Sequence, residues 1–187
     1  MDIDRRLFEE FLQDPKALPI LRVFRAKAAA ITVGRSWRKK RLPEGAVLRP
    51  TGGGLVRHGN DFIYTVIARK DTFPTFGMVR TSYLSLHEAV LAALEKRAIL
   101  ARLYRCDEPR THQATFGECF LEPVATDVLL NRQKIAGGAQ WRRAGVFLHQ
   151  GSILLLKGMS FDVFKRTFLI AFEEQFGCIW DKLPAVV

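Results

Sequence analysis

Arg49-Pro-Thr-Gly-Gly-Gly-Leu-Val-Arg-His58 joins one strand-like run to the next, and Lys134-Ile-Ala-Gly-Gly-Ala-Gln140 answers it far downstream. Three consecutive glycines let a backbone approach a ligand closely and take positive φ without a Cβ penalty. The Gly137-Gly138 pair behind Lys134 offers a second such approach. Together the two segments predict a site for an acyl or phosphoryl group.

The elements around them are read from periodicity. Asp2 to Leu12 has the spacing of a short amphipathic helix, ended by Asp14-Pro15, and Leu21 to Arg25 and Ala28 to Val33 read as strands. Pro43 to Gly45 is a turn. Ala46 to Arg49 and Phe62 to Ala68 are further strands, which puts the glycine triplet and His58 on the connection between them. From Phe76 to Arg97 the residues Val79, Tyr83, Leu86, Val90 and Leu94 recur at helical spacing. Short strands are expected at Val128 to Leu130, Lys134 to Ala136, Val146 to Leu148 and Ile153 to Leu156, with Asn131-Arg132 as a hairpin turn. A last helix runs from the N-cap Ser160 to Gly177 at C′, and its stripe of Phe161, Phe164, Phe168, Phe172 and Phe176 reads as core. The fold class is α/β of the α+β type: a mixed β-sheet flanked by helices, without the strict alternation of a doubly wound sheet.

At 187 residues, 48% hydrophobic and 26% charged, the chain suits one globular domain. The N-terminus lacks the apolar core of a signal peptide and no apolar run reaches membrane-span length, so a cytoplasmic protein is expected. Cys106, Cys119 and Cys178 form no CxxC pair and leave an odd one over, which disfavours a disulfide framework or a metal site and leaves a reactive thiol as the special role open to one of them. The net charge of +10, with Arg35, Arg38, Lys39, Lys40 and Arg41 clustered, attracts polyanions or acidic proteins. Nucleic acid is the less favoured partner, because no zinc finger, aromatic RNA-binding signature or helix-turn-helix is present.

The two glycine segments, with His58 and Tyr64 after the first and Gly145-Val-Phe-Leu-His-Gln-Gly-Ser-Ile-Leu154 after the second, resemble the superfamily of lipoate-protein ligases, octanoyltransferases and biotin ligases. The resemblance runs from Met1 to about Leu156 and implies a biotin/lipoate ligase-like catalytic domain over 1–187. Too few residues follow Leu156 for the C-terminal accessory domain that ligases use, so none is expected. A biotin ligase fits less well, because its first glycine motif alternates Gly and Arg, unlike Thr51-Gly-Gly-Gly54.

The resemblance also assigns roles. Lys134 stands where the family places the lysine that binds the acyl carbonyl and stabilises developing negative charge. Gly117-Glu-Cys-Phe-Leu-Glu-Pro123 is similar to the segment carrying the nucleophile of the cysteine-dependent octanoyltransferases, which makes Cys119 the candidate nucleophile, with a buried core cysteine as its alternative. Thiol attack on a thioester is a near-balanced exchange that needs no ATP, and a nearby ammonium lowers the thiol pKa. Cys106 and Cys178 fall in no motif and read as structural. Another branch of these enzymes uses a cysteine beyond the lysine motif, where this chain has Leu148-His-Gln-Gly-Ser152 and no cysteine. Arg49, Gly52, Gly53, Gly54, His58, Gly137 and Gly138 are expected to form the pocket, with Thr51 and Tyr64 supporting it. His149 is a further candidate, although the relatives have Gln then His where this chain has His149 then Gln150.

The expected activity is octanoyl or lipoyl transfer without a cofactor, from octanoyl-acyl carrier protein to a lysine of a lipoyl domain or a glycine-cleavage H-like protein. Two alternatives stand beside it: an ATP-dependent lipoate ligase, which would need ATP and Mg, and a non-catalytic binding member of the family.

Overall fold

The computed structural model describes residues 2–25, 29–39, 41–105, 123–177 and 180–183. Helix α1 (Asp2–Gln13) leads into strands β1 (Ile20–Arg25) and β2 (Ile31–Val33), a 3-10 turn (Arg35–Lys39), β3 (Ala46–Leu48), β4 (Leu55–Arg57) and β5 (Asp61–Arg69). Helix α2 (Val79–Glu95), β6 (Arg102–Leu103), β7 (Val128–Leu130), β8 (Gln133–Arg143), β9 (Val146–Leu154), α3 (Phe161–Phe176) and β10 (Asp181–Leu183) complete the order.

Seven strands form one sheet in the order β10-β1-β5-β9-β8-β7-β6, parallel only between β10 and β1, and β3-β2-β4 form a smaller mixed sheet. The mixed sheet with flanking helices is therefore as expected. Side chains alternate across a strand, so β5 sends Phe62, Tyr64, Val66 and Ala68 to one face, where they pack with Leu86, Val90 and Leu94 of α2 and Phe164, Phe168 and Phe172 of α3. The opposite face carries Ile67, Val146 and Leu148 against Phe8 and Phe11 of α1. The phenylalanine stripe of α3 is core, as its spacing implied, and Gly177 ends the helix at φ 57°.

Several elements differ from the sequence reading, which had neither β6 nor β10. Leu55–Arg57 is a strand, so the connection between β3 and β5 is broken by β4, which pairs with β2. The runs at 146–148 and 153–156 are one continuous β9, paired along its length with β5. β8 continues through Gly137-Gly138 to Arg143 instead of stopping at Ala136, and its register against β7 shifts by a bulge. The turn at Asn131-Arg132 is as read, with both residues at positive φ (49° and 67°), the geometry of a two-residue hairpin. Among the described residues no helix is long and apolar enough to cross a membrane.

Candidate functional site

The glycine loop is held by the residue that precedes it. Arg49 is buried; its Nη2 donates to the carbonyls of Gly52 and Gly54, and its Nη1 to the carbonyl and hydroxyl of Thr32. The loop also closes onto the basic turn: Gly34 N–H donates to Gly54 O and Arg35 N–H to Thr51 O. The fit is tight, since a Cβ on Gly34 would lie 2.0 Å from Gly53 O, and Gly53 itself sits at φ 89°. The loop and the start of the basic cluster are thus one piece. Lys40 lies outside the described residues.

His58 is wired into the scaffold. Nδ1 donates to Asp61 Oδ2 at 2.5 Å and Nε2 lies 2.8 Å from Thr32 Oγ1. Burial opposes ionisation of Asp61, but hydrogen bonds from His58, Ser152 and the Gly59 N–H outweigh it and hold its carboxyl below the ordinary value. His58 steadies Thr32, which in turn receives Arg49. Thr51 has a similar supporting role: its hydroxyl donates to Gln150 Oε1, and Gln150 Nε2 donates to Asp4 of α1.

The downstream motif carries its side chains over its own glycines. Lys134 Nζ lies 2.6 Å from Asp127 Oδ2, both side chains buried, and a Cβ on Gly137 would fall 2.9 Å from Nζ and 2.7 Å from Asp127 Oδ1. Gly138 leaves room for the His149 ring, and Gly151 for the ring of Tyr64. Alternation puts the two on opposite faces: Lys134 covers Gly137 on the side of Ser152 and His149 covers Gly138 on the side of Gly151, where a bare backbone facing a ligand was expected. Gly138→Ala places a methyl 2.4 Å from His149 Cε1 and Nε2. Its expected cost is about 1–3 kcal/mol, the usual range for overpacking, and an unchanged thermal midpoint would contradict the tight fit.

His149 faces α2 from the centre of the sheet. Gln140 Oε1 accepts from Arg142 Nε, which turns its amide nitrogen toward His149 Nδ1 at 3.3 Å. Nδ1 therefore accepts, and Nε2–H points at the Tyr64 hydroxyl 3.2 Å away. Tyr64 is completely buried, and desolvation raises its phenol pKa far beyond the ordinary value; burial also pushes Tyr83 up to about 12.

Two buried residues that the sequence reading did not single out lie here, Asp127 with Lys134 on one face of the sheet and His87 with His149 on the other. Asp127 is brought to Lys134 by the Asn131-Arg132 hairpin together with the register shift between Val128 and Leu129; centring the turn alone pairs Lys134 with Leu129. His87 lies on α2 one turn from Tyr83, and that i to i+4 spacing was the available signal. Its Nδ1 lies 2.6 Å from Thr126 O, which only accepts, so Nδ1 carries the proton. Nε2 is buried with no hydrogen-bond partner among the described residues, a condition that costs about 1–3 kcal/mol. The His87 and His149 ring centroids are 5.7 Å apart.

Burial lowers the pKa of both imidazoles, aided at His149 by His87 and Arg142 and at His87 by Lys134, while Asp127 and the Thr126 hydrogen bond oppose it at His87. Both are neutral in the folded chain below the ordinary value of 6.5. Their contribution to stability is complete above about pH 6.5 and erodes as pH falls, by at most about 1.4 kcal/mol per pH unit for each group. Asp61 adds its own loss only below about pH 4. In urea melts at pH 7.5, 6 and 5, His149→Gln should flatten the acid slope; equal slopes in both proteins would contradict the burial argument.

Of the site residues expected from the sequence, Tyr64, His149 and Gly138 come together in this strip under α2, while Lys134 and Gly137 lie on the opposite face of the sheet, that of Ser152 and Asp61. Arg49, Thr51, Gly52, Gly53, Gly54 and His58 form the loop on the side of the sheet that carries α1. Cys106, Cys119 and Cys178 lie outside the described residues. The described chain on either side of residues 106–122 is tied beside Asp127: Tyr104 N–H donates to Asp127 O, and Thr126 N–H to Tyr104 O.

Comparison with known proteins agrees with this architecture. Residues 1–171 match the family described as the lipoyl protein ligase A/B catalytic domain. The octanoyltransferase LipM of Moorella thermoacetica is 34% identical over 111 residues, which span 59% of this chain and 41% of that protein. The LipM of Kyrpidia tusciae is 36% identical over 115 residues, 59% of this chain and 42% of its own length. This chain thus spans less than half the length of either relative. Among solved structures, a lipoate-protein ligase A bound with ATP aligns at a TM-score of 0.73 with 19% identity, over 98% of this chain and 82% of that one. A bipartite lipoate protein ligase from Thermoplasma acidophilum aligns at 0.71 with 18% identity, over 98% and 80%. At these identities the likeness speaks for the fold. A sheet built around a buried lysine behind a glycine pair, and a family match over nearly the whole length, lead to one assignment: the chain belongs to the lipoyl protein ligase A/B catalytic domain family.

Proposed function

We propose that the chain is an octanoyltransferase, taking an octanoyl group from the thioester of an acyl carrier protein and delivering it to a lysine ε-amine of a lipoyl domain or a glycine-cleavage H-like protein. The observation that carries this reading is the buried Lys134 ammonium over Gly137, held by Asp127, in a chain similar to two octanoyltransferases. A fixed cation in a site of low dielectric stabilises the oxyanion that forms when a thioester carbonyl is attacked. The Cys119 thiolate is the nucleophile: it forms a new thioester as the carrier thiol leaves, and the acceptor amine then displaces it. Thioester exchange followed by amide formation runs downhill without ATP, so no cofactor is required.

The carriers in this reading are acidic, and the basic turn at Arg35 is laced by hydrogen bonds to the glycine loop. Docking there brings the acyl thioester to the site, and the rate of transfer should fall with added salt. The Thermoplasma acidophilum ligase belongs to a lipoylation system with its own E2 lipoyl domain, which supports a lipoyl domain as acceptor here.

The test is the intact mass of the protein after mixing with octanoyl-loaded carrier protein, beside Cys119→Ser. An octanoyl adduct that hydroxylamine releases, present on the native chain and absent from the variant, is expected. No adduct, with lipoyl-adenylate forming from lipoate and ATP, would make the chain a ligase. Unchanged function in a Cys119→Ala, Lys134→Ala double variant would make it a binding protein.

A further inference from the structure

Strand alternation gathers the glycine loop, Lys134 and a group of arginines on one face of the large sheet. Gly137, Ala139 and Trp141 of β8 pair with Ser152, Gln150 and Leu148 of β9, so they share the face on which Thr51 meets Gln150 and α1 packs. Lys134 lies over Gly137 at one end of this row. At the other end the Trp141 ring packs on Phe8 of α1, 4.4 Å between centroids, and two guanidiniums lie against it: Arg35 of the basic turn at 6.0 Å and Arg143 at 5.4 Å. Arg143 is paired with Glu9, whereas the exposed Arg35 guanidinium has no carboxylate partner among the described residues. Two cations and one carboxylate at one ring leave a positive charge uncompensated, and the exposed Arg38 of the same turn adds to it. Stacking on an aromatic face fixes the plane of a guanidinium and leaves its N–H edges for an anion, and a phosphate takes two of them at once.

Building on the transferase reading, we propose that Arg35 and Arg143, stacked on Trp141, bind the phosphate of the phosphopantetheine arm that carries the octanoyl thioester. The spacing suits such an arm. Four residues of antiparallel strand separate Gly137 from Trp141, roughly 14 Å. From the thioester carbon to the phosphorus the arm has about fourteen bonds, and at about 3.3–3.6 Å for every three it reaches roughly 16 Å. A thioester carbonyl at the Lys134 ammonium therefore leaves the phosphate at the two guanidiniums, with the arm slightly bent. Between the two ends the arm crosses Ala139, which has only a methyl group on this face and is partly open to solvent. The Arg35 N–H donates to Thr51 O, so the turn that holds the guanidinium is fixed to the glycine loop beside this path. Phosphate binding at one end thus positions the thioester at the other, and no bond is made or broken by the arginines.

The test is competition against octanoyl transfer from loaded carrier protein to a lipoyl domain, with octanoyl-phosphopantetheine and octanoyl-pantetheine as the two competitors. They differ only in the phosphate, and competition reads their binding whether or not the chain also uses them as donors. With the native chain the phosphorylated competitor should have a Ki about tenfold lower or better, the usual worth of hydrogen bonds to a charged group. Arg35→Gln together with Arg143→Gln should bring the ratio of the two Ki values close to one. A ratio within one protein cancels any general effect of the substitutions on catalysis. Arg35→Gln alone should lower the ratio partway, and it serves if the double variant loses its fold or its transfer. A native ratio near one, inhibition by neither compound, or a ratio that survives substitution in a folded variant overturns the proposal. Weaker use of the carrier protein by the variant with an unchanged ratio would assign the arginines to carboxylates of the carrier, and overturns it as well. A native chain that transfers no octanoyl group from the carrier would instead bring down the transferase reading, and this proposal with it.

Discussion

Lys134→Met lowers stability by roughly 3–5 kcal/mol, the usual cost of leaving one partner of a buried ion pair uncompensated, and lowers octanoyl transfer at least about 100-fold. The first effect follows from where Asp127 sits. Its carboxylate is buried against Nζ at 2.6 Å and also accepts the Val124 N–H at 2.7 Å, so no solvent replaces the ammonium. The second effect follows from the transferase reading, in which the ammonium is the charge that meets the oxyanion. The two are separable. Adding Asp127→Asn to Lys134→Met keeps an acceptor for Val124 and removes the stranded charge, so stability should largely return while transfer stays lost. Urea denaturation monitored by far-UV dichroism, paired with a transfer assay, measures both. A double variant that regains transfer with stability would show that Lys134 is a structural residue only.

Asp4→Ala is expected to cost a similar amount, about 3–5 kcal/mol, for a group on an N-terminal helix that would ordinarily tolerate change. Asp4 is completely buried. Arg22 Nη1 donates to Oδ1 at 2.7 Å, while Thr65 Oγ1 and Gln150 Nε2 donate to Oδ2 at 3.0 and 2.6 Å. Alanine leaves a guanidinium with one ion-pair partner fewer in the interior and strips two further donors of their acceptor. The effect should travel, because Gln150 accepts the Thr51 hydroxyl at the start of the glycine triplet. The loop therefore depends on the helix. Asp4→Asn retains one acceptor oxygen and should lose about half as much. Limited proteolysis should cut Asp4→Ala within residues 49–54 faster than the native chain, and a denaturation midpoint near the native one would refute the network argument.

Much of the fold was legible because local rules and tertiary packing agree. The periodicity of α1, α2 and α3, the αL glycine at 177 and the positive-φ pair at Asn131-Arg132 each follow from side-chain spacing or backbone sterics within a few residues. The misreadings of β8 and β9 share one cause. Gly137-Gly138 resembled a break and the polar run His149-Gln150-Gly151-Ser152 resembled a loop, yet both lie inside long strands. Alternation explains it: His149 turns to Tyr64 and α2 while Gln150 turns to Asp4 and α1, so consecutive polar residues are buried on opposite faces with separate partners. The glycines remain in the strand because Lys134 and His149 lie over them. β4 escaped notice for a simpler reason, being three residues long and stabilised by pairing with β2.

The candidate site divides in the same way. The sequence by itself determined that the chain is an α+β domain with a glycine loop, a lysine behind a glycine pair and a strongly basic surface, because composition and short motifs record backbone freedom and charge directly. Only the tertiary structure decided that Arg49 and His58 brace the loop, that Asp127 holds Lys134, and that His87 packs on His149 across the sheet with a buried Nε2 that has no partner among the described residues. Those pairings depend on strand register and on contacts between residues as far apart as Asp4 and Gln150, 146 positions in the chain. A one-residue slip of register would exchange the partners on every face. No local pattern carries that information, since it is the packing of the two cores that selects it.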